Sequence, residues 1–111
     1  MKPSRKSTFP PSRDPVVHRV KCWPDLYAAV QSGEKTFEYR RNDRGYETGD
    51  YVILHEWDPA TETYSGKTLS VRVGYMLAGM GVPEDYCLFS VQLTEVPAAL
   101  LEKTPETEKD R

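Results

Sequence analysis

The chain has 111 residues, of which 38% are apolar and 29% charged, enough for one modest domain and too little for a large buried core. Its formal net charge of −2 excludes a protein that coats nucleic acid indiscriminately, because that mode takes its affinity from many phosphate contacts. No stretch approaches the ~20 consecutive apolar residues of a membrane-spanning helix, and the opening residues lack the apolar run of a secretory leader, so a cytoplasmic protein with no membrane partner is expected.

Residues 1–15 combine Pro3, Pro10, Pro11 and Pro15 with Ser, Lys and Arg, a composition expected to form a flexible basic arm. The domain proper is expected over residues 16–96, followed by a charged tail over residues 97–111 that contains only a brief Ala98-Ala99-Leu100-Leu101 patch. The charge is graded along the chain: Lys2, Arg5, Lys6, Arg13, Arg19 and Lys21 lie early, whereas Glu95, Glu102, Glu106, Glu108 and Asp110 lie late. Local basic recognition is therefore compatible with the negative total.

Val17 to Trp23 predicts a first strand, with His18, Val20 and Cys22 on one face and Arg19, Lys21 and Trp23 on the other. Pro24 suits a first helical turn, Leu26, Tyr27 and Val30 recur at helical spacing, and Gly33 can end a helix over residues 24–32. Lys35 to Arg41 alternates, which predicts a strand that packs through Phe37 and Tyr39 and carries charge on the face of Thr36, Glu38 and Arg40. Asn42 to Gly45 and Gly49-Asp50 read as turns before a strand over residues 51–57, and Asp58 to Gly66 as a long hairpin connection. A strand over residues 68–77 places Leu69, Val71, Val73, Tyr75 and Leu77 on one face, a Gly- and Pro-containing loop fills residues 78–85, and a last strand runs from Tyr86 to Thr94. Five strands with one short helix after the first predict a mainly-β α+β fold, a small twisted sheet curled into an open barrel.

The densest chemistry lies in Gly33-Glu34-Lys35-Thr36-Phe37-Glu38-Tyr39-Arg40. An arginine, a carboxylate and a hydroxyl from one strand face, with Lys35 at its end, can hold a phosphate through the guanidinium and a base edge through the carboxylate. The bland alternative is that Glu38 and Arg40 pair on a solvated strand face. Lys21 adds a second charge from the first strand, expected to neighbour this one, Trp23 is a stacking surface for a base or a packing residue, and Trp57 reads as packing. His18 is expected as a hydrogen-bonded histidine near the cleft. His18, His55, Cys22 and Cys87 have no close-spaced ligand pair, so no metal and no cofactor are expected, and Cys22 and Cys87 are expected reduced and buried.

The combination of His18-Arg19-Val20-Lys21 with Trp23-Pro24, the Gly33 to Arg40 block, the Asn42-Asp43-Arg44 turn, Gly49-Asp50 before an apolar strand, and Glu56-Trp57 before the hairpin resembles the ASCH branch of the PUA-like superfamily. Within that branch it resembles the small bacterial and phage proteins of DUF3850 type, over roughly residues 17–94. The resemblance implies a PUA-like open β-barrel with a cleft beside the helix, and a partner that is RNA or a modified nucleoside or nucleotide. His18, Lys21, Trp23, Thr36, Arg40, Asn42 and Arg44 are the expected ligand-binding set.

A hydrolase in the same cleft is the competing reading, with Lys35 and Glu38 as its catalytic pair. Some ASCH-like relatives are amidohydrolases of acylated pyrimidine nucleosides and others cut RNA. Lys35 matches the lysine of the amidohydrolase motif, but the position two residues after the adjoining threonine, a threonine in that group, is Glu38 here. A third reading is an interaction protein that blocks a host enzyme. Five short strands leave edges able to pair, so a monomer and a weak dimer both fit.

Overall fold

The computed structural model describes residues 13–102. Residues 1–12 of the expected basic arm and residues 103–111 of the charged tail lie outside the described residues. The elements are β1 (Val17–Cys22), α1 (Pro24–Gln31), β2 (Phe37–Arg41), β3 (Tyr51–Asp58), β4 (Thr63–Leu77), β5 (Tyr86–Leu93) and α2 (Ala98–Leu101).

One five-stranded sheet runs in the order β1-β3-β4-β5-β2 and curls into a half-barrel. β1 pairs with β3 in parallel and every other pairing is antiparallel. A parallel neighbour requires a crossover, and here the chain makes it through α1 and β2. The fold is mainly β, as the patterning predicted, but it has two short helices rather than one, because the Ala98–Leu101 patch of the expected tail forms α2.

The concave side holds the main core. Val20 and Cys22 of β1, Val52 and Leu54 of β3, Val71 and Val73 of β4, and Cys87 and Phe89 of β5 meet there beneath Tyr27 and Val30 of α1. The period-two alternation of each strand supplies these residues, and the helical spacing of Tyr27 and Val30 supplies the lid. Leu26, at the adjacent position, stays 44% exposed. α1 starts with Pro24 in its first turn, and Gly33 follows it at φ +85°, a left-handed conformation that a side chain resists. A smaller cluster sits on the convex side, where Val17, Tyr51 and Ile53 pack against Val96 and Leu100. β3 is thus buried on both faces, which is why its sequence is a continuous apolar run rather than an alternating one.

Two expectations are corrected. The hairpin connection is shorter than residues 58–66, because β4 begins at Thr63 and pairs Tyr64 with Trp57 and Thr63 with Asp58. Ser65-Gly66, read as part of a turn, lies inside the strand where the register shifts; Gly66 at φ +93° serves that irregularity. The second correction concerns β2, whose aromatic face was expected to pack. Phe37 and Tyr39 are 47% and 50% exposed, whereas Glu38 is 3% exposed. β2 closes the curl at one edge, and the side of the strand turned towards β1 and α1 is the charged one. No helix among the described residues is long and apolar enough to cross a membrane.

Candidate functional site at the seam of the half-barrel

β1 and β2 are the two outer strands of the sheet. They were expected to be neighbours, but no backbone ladder joins them. What joins them is a side chain: Arg40 Nη2 of β2 donates to the carbonyl oxygen of Lys21 in β1 at 2.7 Å. The same guanidinium donates through Nε to Glu38 Oε1 at 2.8 Å, and Lys35 Nζ donates to Glu38 Oε2 at 2.8 Å and to the carbonyl of Phe37 at 2.7 Å. One buried carboxylate is therefore shared by two cations, one on each oxygen, and the group has a net charge of +1. Burial would lower the pKa of Arg40, but the charge and hydrogen bond of Glu38 outweigh it and raise the value above the ordinary one. The arginine is a permanent cation.

This group lies in a cleft of about 480 Å³, whose wall runs from Lys21, Cys22, Trp23 and Leu26 on the β1–α1 side to Lys35 and residues 37–40 of β2. The volume falls within the range of about 300–1,000 Å³ usual for small-molecule sites. Trp23 is 52% exposed. Lys21 places its ammonium 4.1 Å from the centroid of the Trp57 ring. Burial, with a contribution from Glu38, pushes the Cys22 thiol up to about 11, so it has no thiolate character to bring to the cleft.

Of the residues singled out in the sequence, Lys21, Trp23, Lys35, Glu38 and Arg40 come together in this cleft. Four others do not line it. Thr36 is exposed and its carbonyl accepts from Val91. Asn42 Oδ1 accepts the Tyr46 amide at 3.1 Å, which organises the turn after β2. Arg44 is half-buried in that same turn. His18, expected near the cleft, stands at the opposite end of β1, 5% exposed and packed on Tyr46 with ring centroids 4.6 Å apart.

His18 belongs to a second polar group centred on Asp50, whose role the sequence reading missed. Asp50 is fully buried. Its carboxylate accepts a two-pronged hydrogen bond from Arg13 at 2.7 and 2.8 Å, one from His18 Nε2 at 2.7 Å, and the amides of Val16 at 3.2 Å and Glu47 at 3.0 Å. Burial alone would raise its pKa, but these donors reverse the effect and hold it at about 2. The only signal in the sequence was an aspartate between Gly49 and an apolar strand, a position that also reads as an ordinary turn.

A larger concavity, about 710 Å³, lies on the convex face between Arg19, Ile53, His55, Tyr64 and the segment Thr94 to Val96 with Leu101. Arg19 and His55 are buried in its wall. We favour the smaller cleft as the site because a shared buried carboxylate, surplus positive charge and exposed aromatic faces converge there. Size alone does not make a site. Among the described residues, no cluster of three or more His, Cys, Asp or Glu side chains is placed to hold a metal ion.

A family model described as "Domain of unknown function (DUF3850)" matches residues 17–91. The chain belongs to the DUF3850 family. It is also similar to the "Uncharacterized 12.9 kDa protein in GpA 3'region" of Escherichia phage P2, at 34% identity over 80 residues, 72% of each chain. The seam cleft is built wholly from residues inside the DUF3850 match, whereas the convex concavity depends on Thr94, Glu95, Val96 and Leu101 beyond it.

Proposed function

We propose that this DUF3850 protein is an RNA- or modified-nucleotide-binding module of the ASCH/PUA-like type, with its guest in the seam cleft. One observation supports this reading above the others: Glu38, buried between Lys35 and Arg40, leaves a net positive floor in a cleft rimmed by the exposed face of Trp23. A net cation attracts phosphate, and an aromatic face accepts any base. Each carboxylate oxygen of Glu38 holds one protein donor and has a lone pair left for an N–H of a base edge. Arg40 is committed to Glu38 and to Lys21, so it holds the cleft in shape; Lys35, whose Nζ has one proton beyond the two already bonded, is the group that reaches the guest.

The experiment is titration of the full chain with nucleoside monophosphates, followed by Trp fluorescence and calorimetry. Saturable binding is expected, weakened roughly tenfold by Lys35→Ala or Trp23→Ala, consistent with the loss of one charged hydrogen bond or one stacking face. Unchanged affinity in both folded variants, or no binding at all, would remove the reading.

The 2.8 Å contact between Lys35 and Glu38 favours one second reading, a hydrolase. For Lys35 to act as nucleophile or base it must first lose a proton, and Glu38 is within transfer distance. Incubation with N-acylcytidines and with short single-stranded RNA separates the two. Turnover abolished by Lys35→Ala and by Glu38→Gln makes the protein an enzyme; binding without turnover leaves it a module.

A further inference from the structure

The outward face of β2 is exposed along its length, at Phe37, Tyr39 and Arg41. Because Glu38 and Arg40 turn into the seam, the period of the strand sends Phe37, Tyr39 and Arg41 to the other side. A single exposed aromatic is ordinary, but here the aromatics are organised. Tyr39 stacks on Tyr86 of β5 with ring centroids 5.2 Å apart and planes inclined by 17°. The Arg41 guanidinium stands 5.8 Å from the Tyr86 ring, and Lys35 Nζ 4.9 Å from the Phe37 ring. Each aromatic group thus has its own cation. Phe37 and Tyr39 also stand at the rim of the seam cleft, so this face continues from it.

We infer that Phe37 and Tyr39, backed by Tyr86, form a stacking platform that extends the seam cleft and selects single-stranded nucleic acid over free nucleotides. The inference rests on the nucleotide reading of the cleft. Two residues along a strand are about 7 Å apart, roughly twice the 3.4 Å rise per nucleotide of a helical strand. A guest that places one base on each ring must therefore be unstacked, which excludes a duplex and suits a splayed single strand. Cations beside the rings fit a polymer that is anionic and π-faced throughout. The acidic side chains nearby, Asp43 and Asp85, act on Arg41, so the platform is close to neutral, stacking supplies most of the added affinity, and the dependence on salt is shallow.

The test uses the full chain with oligouridylates and oligoadenylates of one to six nucleotides and with a short RNA duplex, by fluorescence anisotropy. Affinity is expected to rise about tenfold or more from the mononucleotide to the trinucleotide, with the duplex no better than the mononucleotide. Phe37→Ala and Tyr39→Ala should each lower trinucleotide affinity roughly tenfold, and lower mononucleotide affinity by a clearly smaller factor. Tyr39→Trp should retain binding, whereas Tyr39→Leu, which keeps apolar area without a π-face, should not. Equal affinity for mononucleotide and trinucleotide, or full binding by Tyr39→Leu, would overturn the platform while the cleft reading stands. Failure of every nucleotide to bind would overturn both.

Discussion

Asp50 and Glu38 are both buried carboxylates, but their partners differ in kind. Asp50 is surrounded by donors from four residues, including two backbone amides, and its pKa is depressed from 3.8 to about 2. A carboxylate held below its unfolded pKa contributes stability that is complete above about pH 4 and is lost as the pH falls towards 2, here about 2 kcal/mol. Urea denaturation of Asp50→Asn should show a loss of at least that size at neutral pH, and a flatter stability profile between pH 4 and pH 2 than the parent chain. A second residue-scale prediction concerns the thiols. Burial pushes Cys22 and Cys87 from 9.0 to about 11, so the thiolate population at pH 8 falls about a hundredfold. Labelling by a disulfide reagent should be slower by at least that factor in the folded chain than in urea. The sequence made Lys35, Glu38 and Arg40 legible as a group because all three lie within one short strand and its approach. It did not reveal Asp50, whose donors come from residues up to 37 positions away.

The elements were legible where their period was long and their punctuation plain. α1, β1, β3 and β5 follow the apolar patterning and the Pro and Gly signals to within a residue or so of each end. β4 was foreshortened because Gly66 marks an irregularity inside a strand as readily as it marks a turn. The direction of β2 was misread for another reason: alternation identifies two faces, but which one faces inward depends on where the sheet curls. β4 also contains a close approach. At Gly74, beside the register shift between Val73 and Met76, a Cβ would stand 2.5 Å from Ser90 Oγ, the atom that accepts the Tyr75 amide at 2.9 Å. Gly74→Ala should therefore destabilise the fold by about 1–3 kcal/mol. Thermal melts of the double variant with Ser90→Ala should show a smaller loss than the sum of the two single changes, since they share one clash. Simple additivity would place the cause elsewhere.

For the molecule as a whole, a mainly-β fold with a curled sheet was legible, and the order of its strands was not. Nothing local in Val17–Cys22 and Tyr51–Asp58 announces that they pair in parallel across an intervening helix and strand. The pairs of β1 with β3 and of β3 with β4 are backbone ladders; the seam depends on Arg40. Arg40→Met, which keeps the aliphatic stem, should accelerate hydrogen exchange in the end of β1, in α1 and in β2, and leave the middle of β3 and β4 unchanged. Equal acceleration everywhere would mean that the substitution lowers global stability rather than loosening one junction.

A half-barrel fastened along one side by a guanidinium is adjustable in a way that a hydrogen-bonded cylinder is not. Shortening or lengthening the residue at that fastening resets the width of the slot while every ladder pair keeps its register. Descendants of such a scaffold can change what they admit through a single codon, with no need to redesign the sheet that holds them together.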